Sequence, residues 1–335
     1  MKTLIQILPS LDHSGGGGER GTLDIAKHST EKGYKSVIIS SGGDMAEKYR
    51  HKGVIHYKVP LQKKGMLGYI RARRLFNNIL KDIKPSIIHV RSRWPAFCLN
   101  NLVKNKIPLI TTFHGTYSGN NNFLKKKYNS LMTQGDRVIA ISKFINRHIQ
   151  NHFPDCKERI RLINRGIDTN YFDINSVSQI RKENFLRSFG VLENKHIVLL
   201  PGRLTSWKGH NVAIDAAKII SEKYSNIDFV ILFVGSEQGK KKYLKKLEYK
   251  IRKYNLNQKI FLLGSQSDMP SIYSLSDVVL STSIVAEAFG RVSAEASAMS
   301  KPVIASNLGG SRDIIEHKKT GWLIKHNEPN ILAEM

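Results

Sequence analysis

An α/β protein built from two Rossmann-like halves is the fold class the sequence predicts, on three observations. The chain has 335 residues, more than one core usually serves. Short β-branched, apolar runs alternate with longer helical patterns. That alternation pauses in the polar stretch 170–190 and then restarts. In the first half, strands are expected at 3–8, 36–39, 87–90, 109–113 and 138–141, with helices at 19–32, 67–83 and 143–152. In the second half, strands are expected at 197–201, 229–234, 260–263, 278–280 and 302–305. Strand followed by helix, repeated, makes βαβ units, and their parallel strands are covered on both faces, so they read as continuous apolar runs. The expected domains are residues 1–172 and 173–335. In open parallel sheets ligands bind beyond the carboxyl ends of the strands, and two such sheets facing one another would enclose a cleft.

A composition of 41% hydrophobic and 24% charged residues is that of a folded domain, which excludes disorder, collagen and coiled coil. The balance of 53 Lys and Arg against 27 Asp and Glu, formally +26, calls for an anionic partner without naming it. The excess is uneven: residues 1–170 hold 30 basic and 11 acidic residues, and 51–130 hold 16 basic residues and one acid, Asp82. Within that stretch Lys63, Lys64, Arg71, Arg73 and Arg74 lie among Met66, Leu67, Tyr69, Ile70, Leu75 and Phe76. A basic amphipathic helix of this kind suits an anionic lipid surface; a solvated helix face over an ordinary core has the same pattern. The charge is too one-sided for i,i+4 ion pairing to account for it.

Cys98 and Cys156 are far apart and lack metal-site spacing, which points to a reducing, cytoplasmic setting. The first residues read as a strand rather than a signal peptide, since Pro9, Asp12 and four glycines follow. No apolar run approaches the ~18 residues of a bilayer span, so membrane association is expected to be peripheral.

The chemistry is expected in the loops after the strands. Gly15 to Gly18 precede a helix, exposing amides to an anion, but the pattern is neither a dinucleotide fingerprint nor a P-loop. Pro201-Gly-Arg-Leu-Thr-Ser-Trp-Lys-Gly209 puts Arg203 and Lys208 on one loop ahead of a helix, a pairing suited to a diphosphate. Glu287 and Glu295 are eight residues apart, the first expected in a loop and the second on the inner side of the following helix. Carboxylates accept from paired hydroxyls, while the amides of Ala288, Phe289 and Gly290 can reach an oxygen or phosphate. His114 follows the expected strand 109–113, where it can donate to a substrate hydroxyl.

Together these motifs resemble the retaining family-4 glycosyltransferases of the GT-B fold, also called glycosyl transferases group 1. Glu287 and Glu295 match the E-x7-E signature, continued by Lys301-Pro-Val-Ile-Ala305. Gly202-Arg-Leu with Lys208-Gly209 matches the G-R-L-x3-K-G loop, and Gly16-Gly-Gly-Glu19 the first-loop G-G-x-E. Asn164-Arg-Gly-Ile-Asp168, Gly309-Gly310 and Thr320-Gly-Trp322 complete the order.

The resemblance implies that Arg203 and Lys208 hold a nucleotide's diphosphate, Glu295 the ribose and Glu287 the donor sugar. His114 would touch that sugar from across the cleft, and Gly16 and Gly17 would lie near donor phosphate or acceptor. It further implies base recognition by backbone between Leu263 and Ser265, retention of configuration, and no metal or other cofactor. No D-x-D lies at a strand end, and fixed cations can stabilise a departing phosphate. The basic N-terminal half would take a glycan or glycolipid acceptor of lipopolysaccharide or envelope type at the inner membrane face, with Arg91 and Arg93 reading anionic groups. The family's closing crossover helix is only begun by 327–335, so it is expected to be missing. Two other readings stay open, a non-enzymatic anion binder of nucleic acid or membrane and a GT-B nucleotide-sugar epimerase. Nucleic acid is disfavoured because no zinc finger, RRM core or evident helix-turn-helix is present.

Overall fold

In the computed structural model, residues 1–12, 17–50, 53–99, 101–103, 106–118, 122–189, 195–224 and 226–335 are described, with the side chains of 48–50 excepted. The chain divides into two compact units, Met1–Asn164 and Arg165–Met335. The division falls ahead of the expected 172/173 junction, because Phe172 is buried in the second unit's core, edge-on to Tyr273 at 5.9 Å.

The first unit runs β1 (Thr3–Ile7), α1 (Gly17–Glu31), β2 (Lys35–Ser40), α2 (Asp44–Arg50), β3 (Ile55–Lys58), α3 (Met66–Ile83) and β4 (Ile87–Val90). It continues through α4 (Arg93–Leu99), β5 (Leu109–Phe113), α5 (Phe123–Ser130), β6 (Arg137–Ala140), α6 (Lys143–His152) and β7 (Ile160–Leu162). The strands form a parallel sheet in the order β3-β2-β1-β4-β5-β6-β7. The order reverses direction after β3, so right-handed crossovers lay α1 and α2 on one face and α3 to α6 on the other. In keeping with this, α3 packs on α4 and α4 on α5. Strand residues such as Ile5, Ile7, Ile39 and Val90 are fully enclosed, and α3 buries Ala72, Phe76 and Ile79 at helical spacing.

The second unit runs α7 (Gln179–Ser188), β8 (His196–Pro201), α8 (His210–Lys223), β9 (Phe229–Val234), α9 (Lys241–Lys253), β10 (Ile260–Leu262) and α10 (Met269–Leu275). Then follow β11 (Val278–Ser281), α11 (Arg291–Ala298), β12 (Val303–Ser306), α12 (Ser311–Ile314), β13 (Trp322–Ile324) and α13 (Pro329–Glu334), which packs on α8. The parallel order is β10-β9-β8-β11-β12-β13. Every residue of β9 is buried: Ile231 and Phe233 face one core, and Val230, Leu232 and Val234 the other. That two-sided burial is why the strand shows no polar alternation.

The sequence reading missed β3, β7 and β13, which all lie at sheet edges. Edge strands need not be apolar on both sides, and Ile55-His-Tyr-Lys58 and the 42%-exposed Leu162 carry little strand signal. The polar pause at 170–190 holds α7, anchored by Arg181 on Asp268 with Nε donating to Oδ2 at 3.0 Å.

Candidate functional site

The second sheet switches direction between β8 and β11, the position at which an open parallel sheet forms its ligand crevice. The loops that leave these two strands carry Arg203 and Lys208 on one side and Glu287 on the other. They are tied together by the Ile284 amide donating to the Trp207 carbonyl at 2.8 Å. Lys208 Nζ donates to Glu287 Oε1 at 2.7 Å, both side chains being largely buried, and sits 4.6 Å from the Trp207 ring centroid. Ser283 Oγ donates to the same carboxylate oxygen. Burial alone would raise the Glu287 pKa, but Lys208, by charge and hydrogen bond, the Ser283 hydroxyl and the Arg203 charge hold it below the usual glutamate value. Glu287 is therefore an ionised acceptor at neutral pH.

The loops approach backbone to backbone, which explains two of the glycines. A Cβ on Gly209, at φ +81°, would lie 2.0 Å from the Thr282 carbonyl oxygen. One on Gly309, at φ +56°, would lie 2.3 Å from the Glu287 carbonyl oxygen. We expect Gly309→Ala to cost at least the ~1–2 kcal/mol of a left-handed alanine, plus the clash, and to displace Glu287. A variant that melted as the unsubstituted protein does would contradict this.

Glu295 lies in the second turn of α11, which opens at Gly290 with φ +85°. The residue is 7% exposed, its carboxylate accepting from Tyr273 OH at 2.9 Å and from Arg291 Nε at 2.5 Å. Burial, then the Glu295 charge, push the Tyr273 phenol pKa well above its ordinary value, so it stays a donor. Tyr273, Ser283 and Arg291 are site residues that sequence reasoning missed. Only the i,i+4 spacing of Arg291 to Glu295 was a readable signal. Ala288 and Phe289 lie in the partly buried loop before α11. Arg203 is exposed and donates from Nη1 to Gln238 Oε1 at 3.1 Å. The Leu263 amide donates to Phe233 and its carbonyl accepts from Gln266, while Ser265 is exposed.

Beside the cationic loop, His210 opens α8 fully buried, edge-on to Phe233 at 4.9 Å. Burial first, and the Lys208 charge second, lower its pKa from 6.5 to about 4. The folded form holds it neutral, so its contribution is complete above the unfolded value and declines as pH falls from about 6.5 toward about 4. The loss is on the order of 3 kcal/mol. Urea midpoints measured from pH 7 to 4.5 should fall, and His210→Gln should remove part of that slope; an unchanged slope would refute the assignment.

In the first unit, His114 follows β5 and is partly buried. Gly17 opens α1; Gly16 lies outside the described residues. The two arginines expected to read anions each make contacts inside the unit. Arg91 is 7% exposed and donates from Nη1 to Gln6 Oε1 at 3.3 Å. Arg93 donates from Nη1 to Asn129 Oδ1 at 2.9 Å and stacks 4.5 Å from the Tyr117 ring centroid, bracing the loop that carries His114. Among the described residues no group of three or more His, Cys, Asp or Glu side chains is placed to hold a metal ion.

Comparison with known proteins agrees with this architecture. The family model Glycosyl transferases group 1 matches residues 181–335, and Glycosyltransferase Family 4 matches 15–171. A glycosyltransferase structure from Rickettsia africae superposes with a TM-score of 0.87 at 32% identity, covering 99% of this chain and 86% of that one. An uncharacterised glycosyltransferase of Methanocaldococcus jannaschii is 31% identical over 299 residues, 87% of this chain and 76% of that protein. The Anabaena protein Alr3699/HepE, solved with UDP-glucose, shares the fold with a TM-score of 0.82 at 22% identity, over 100% of this chain and 88% of its own. The two-sheet α/β architecture is that of the GT-B class.

Proposed function

The chain belongs to the group 1 and family 4 glycosyltransferases, and we propose that it transfers a sugar, with retention, from a nucleotide-diphosphate sugar to a glycan or glycolipid acceptor. The observation that carries this reading is the convergence of Lys208, Glu287 and Arg203 on the two loops at the switch point of the second sheet, with Glu295 on the helix that follows. Arg203 and Lys208 would take the diphosphate, and their charge would meet the charge that builds on the departing phosphate without a divalent metal. Glu295, already oriented by Tyr273 and Arg291, keeps lone pairs for a ribose diol. Glu287 would accept from a sugar hydroxyl. The backbone from Leu263 to Ser265 would meet the base, Ser265 being its exposed end. In the reaction the bond from the anomeric carbon to phosphate oxygen breaks and one to the acceptor oxygen forms on the same face. The acceptor's proton leaves with the nucleoside diphosphate.

The basic N-terminal unit supports an anionic acceptor and peripheral attachment at the inner face of the membrane, as in lipopolysaccharide or envelope polysaccharide synthesis. Among the described residues no helix is long and apolar enough to cross a membrane. Incubation with radiolabelled UDP- and GDP-sugars, with and without EDTA, tests the proposal. Transfer to a membrane extract at an unchanged rate in EDTA is expected. Alteration of the donor alone would identify an epimerase, and neither binding nor turnover would leave a non-enzymatic anion binder.

A further inference from the structure

The N-terminal ends of α3 and α5 share a pattern that neither the fold nor the nucleotide site uses. In α3, Met66 is 73%, Leu67 85% and Ile70 56% exposed. They lie off the face by which Ala72, Phe76 and Ile79 enter the core. Arg71 and Arg74 follow one turn later and Lys63 and Lys64 precede them, all exposed. In α5, Phe123 is 78% and Leu124 75% exposed, followed by exposed Lys125, Lys126 and Lys127. Asn122 caps that helix, its Oδ1 accepting from the Lys125 amide at 2.8 Å, so the apolar pair is presented on a formed turn. Each helix thus offers large apolar side chains in its first turn, with cations in that turn or the next.

The two ends also point the same way. Both helices leave the carboxyl ends of parallel strands on the same face of the sheet, with α4 between them. Phe97 of α4 bridges them, 5.0 Å from the Tyr69 ring of α3 and 6.1 Å from the Tyr128 ring of α5. Apolar tips below a belt of Lys and Arg match the depth profile of an anionic leaflet, hydrocarbon beneath headgroups. A protein partner of ordinary mixed charge would not call for 16 basic residues and one acid across 51–130.

We infer that the first turns of α3 and α5 form a two-pronged membrane anchor, with Leu67 and Phe123 entering the hydrocarbon of an anionic bilayer while the neighbouring cations hold its headgroups. This rests on the reading of the N-terminal unit as the membrane-facing one, and adds that attachment is hydrophobic as well as electrostatic. The test is flotation with phosphatidylcholine vesicles, with and without about 30% phosphatidylglycerol, at low salt and at about 0.5 M salt, where exposed charges are strongly screened. The unsubstituted protein should bind the anionic vesicles and keep part of that binding at high salt. The Leu67→Ser, Phe123→Ser double variant should bind at least tenfold less at high salt, while Lys126→Glu should weaken binding mainly at low salt. Both tip residues are exposed, so folding should survive, and unchanged nucleotide-induced thermal shifts would verify it. Equal binding by the double variant at both salts overturns the insertion and leaves the electrostatic reading intact. Failure of the unsubstituted protein to bind any vesicle, or equal binding to neutral and anionic ones, overturns the inference and the membrane-facing reading together. Donor binding in the same preparations reports separately on the nucleotide site.

Discussion

Lys208→Ala should leave about 1% or less of the transfer rate, the usual effect of deleting one fixed positive donor from a site where charge develops on a leaving group. Stability should fall with it. Glu287 would remain in its enclosed position without the Nζ partner now at 2.7 Å, and an unpaired buried charge costs on the order of 3 kcal/mol. A cycle of Lys208→Met, Glu287→Gln and their double variant separates the two losses. The singles should each be destabilised, and the double should recover most of that stability while staying inactive. Strictly additive destabilisation would show that the pair does not interact. The gap between the unsubstituted protein and Lys208→Met should also depend on pH. Because the folded Glu287 pKa lies below the ordinary value of 4.5, the pair's contribution is present above that value and is lost as pH falls through the lower folded one. The gap should therefore be widest near neutral pH and close in acid.

Glu295→Ala should weaken nucleoside diphosphate binding about 100-fold, the equivalent of one or two charge-assisted hydrogen bonds. It should also destabilise the second unit by ~1–3 kcal/mol, since the Tyr273 hydroxyl would be left buried without its acceptor. Calorimetry with UDP or GDP and their 2′- and 3′-deoxy forms supplies the sharper readout. The unsubstituted protein should prefer the ribonucleotides, and the variant should lose that preference. Tyr273→Phe, which removes one oxygen from a well-packed ring, should reduce the preference about tenfold while leaving Glu295 in place. If Glu295→Ala kept the full ribose preference, its role as the ribose acceptor would be wrong; if only Tyr273→Phe did so, the phenol would be structural alone.

Much of the site was readable in the chain because its signals are local. Arg203 and Lys208 sit on one post-strand loop, and Glu287 and Glu295 bracket one helix start, so spacing sufficed to group each pair. Tyr273 was not readable, because it reaches Glu295 across 22 residues of sequence and looks, in the chain alone, like a core aromatic. The surroundings of Arg93 were not readable for the same reason: a cation after a strand gives no sign of the Tyr117 ring and the Asn129 side chain that meet it. Arg91 likewise donates from Nη1 to Gln6, on the neighbouring strand.

The amino-acid order alone determined the βαβ repetition, the two-unit organisation and the family signature, since these depend on periodicity and spacing within short windows. Strand order was decided only in three dimensions. By placing β11 beside β8, separated by some eighty residues of chain, the fold brings Lys208 against Glu287 and lowers that carboxyl's pKa. Hydrophobic burial on both sheet faces fixes which strands are neighbours. Electrostatic pairing at their carboxyl ends, and the conversion of apparent free cations into braces, follow from that choice and from nothing local.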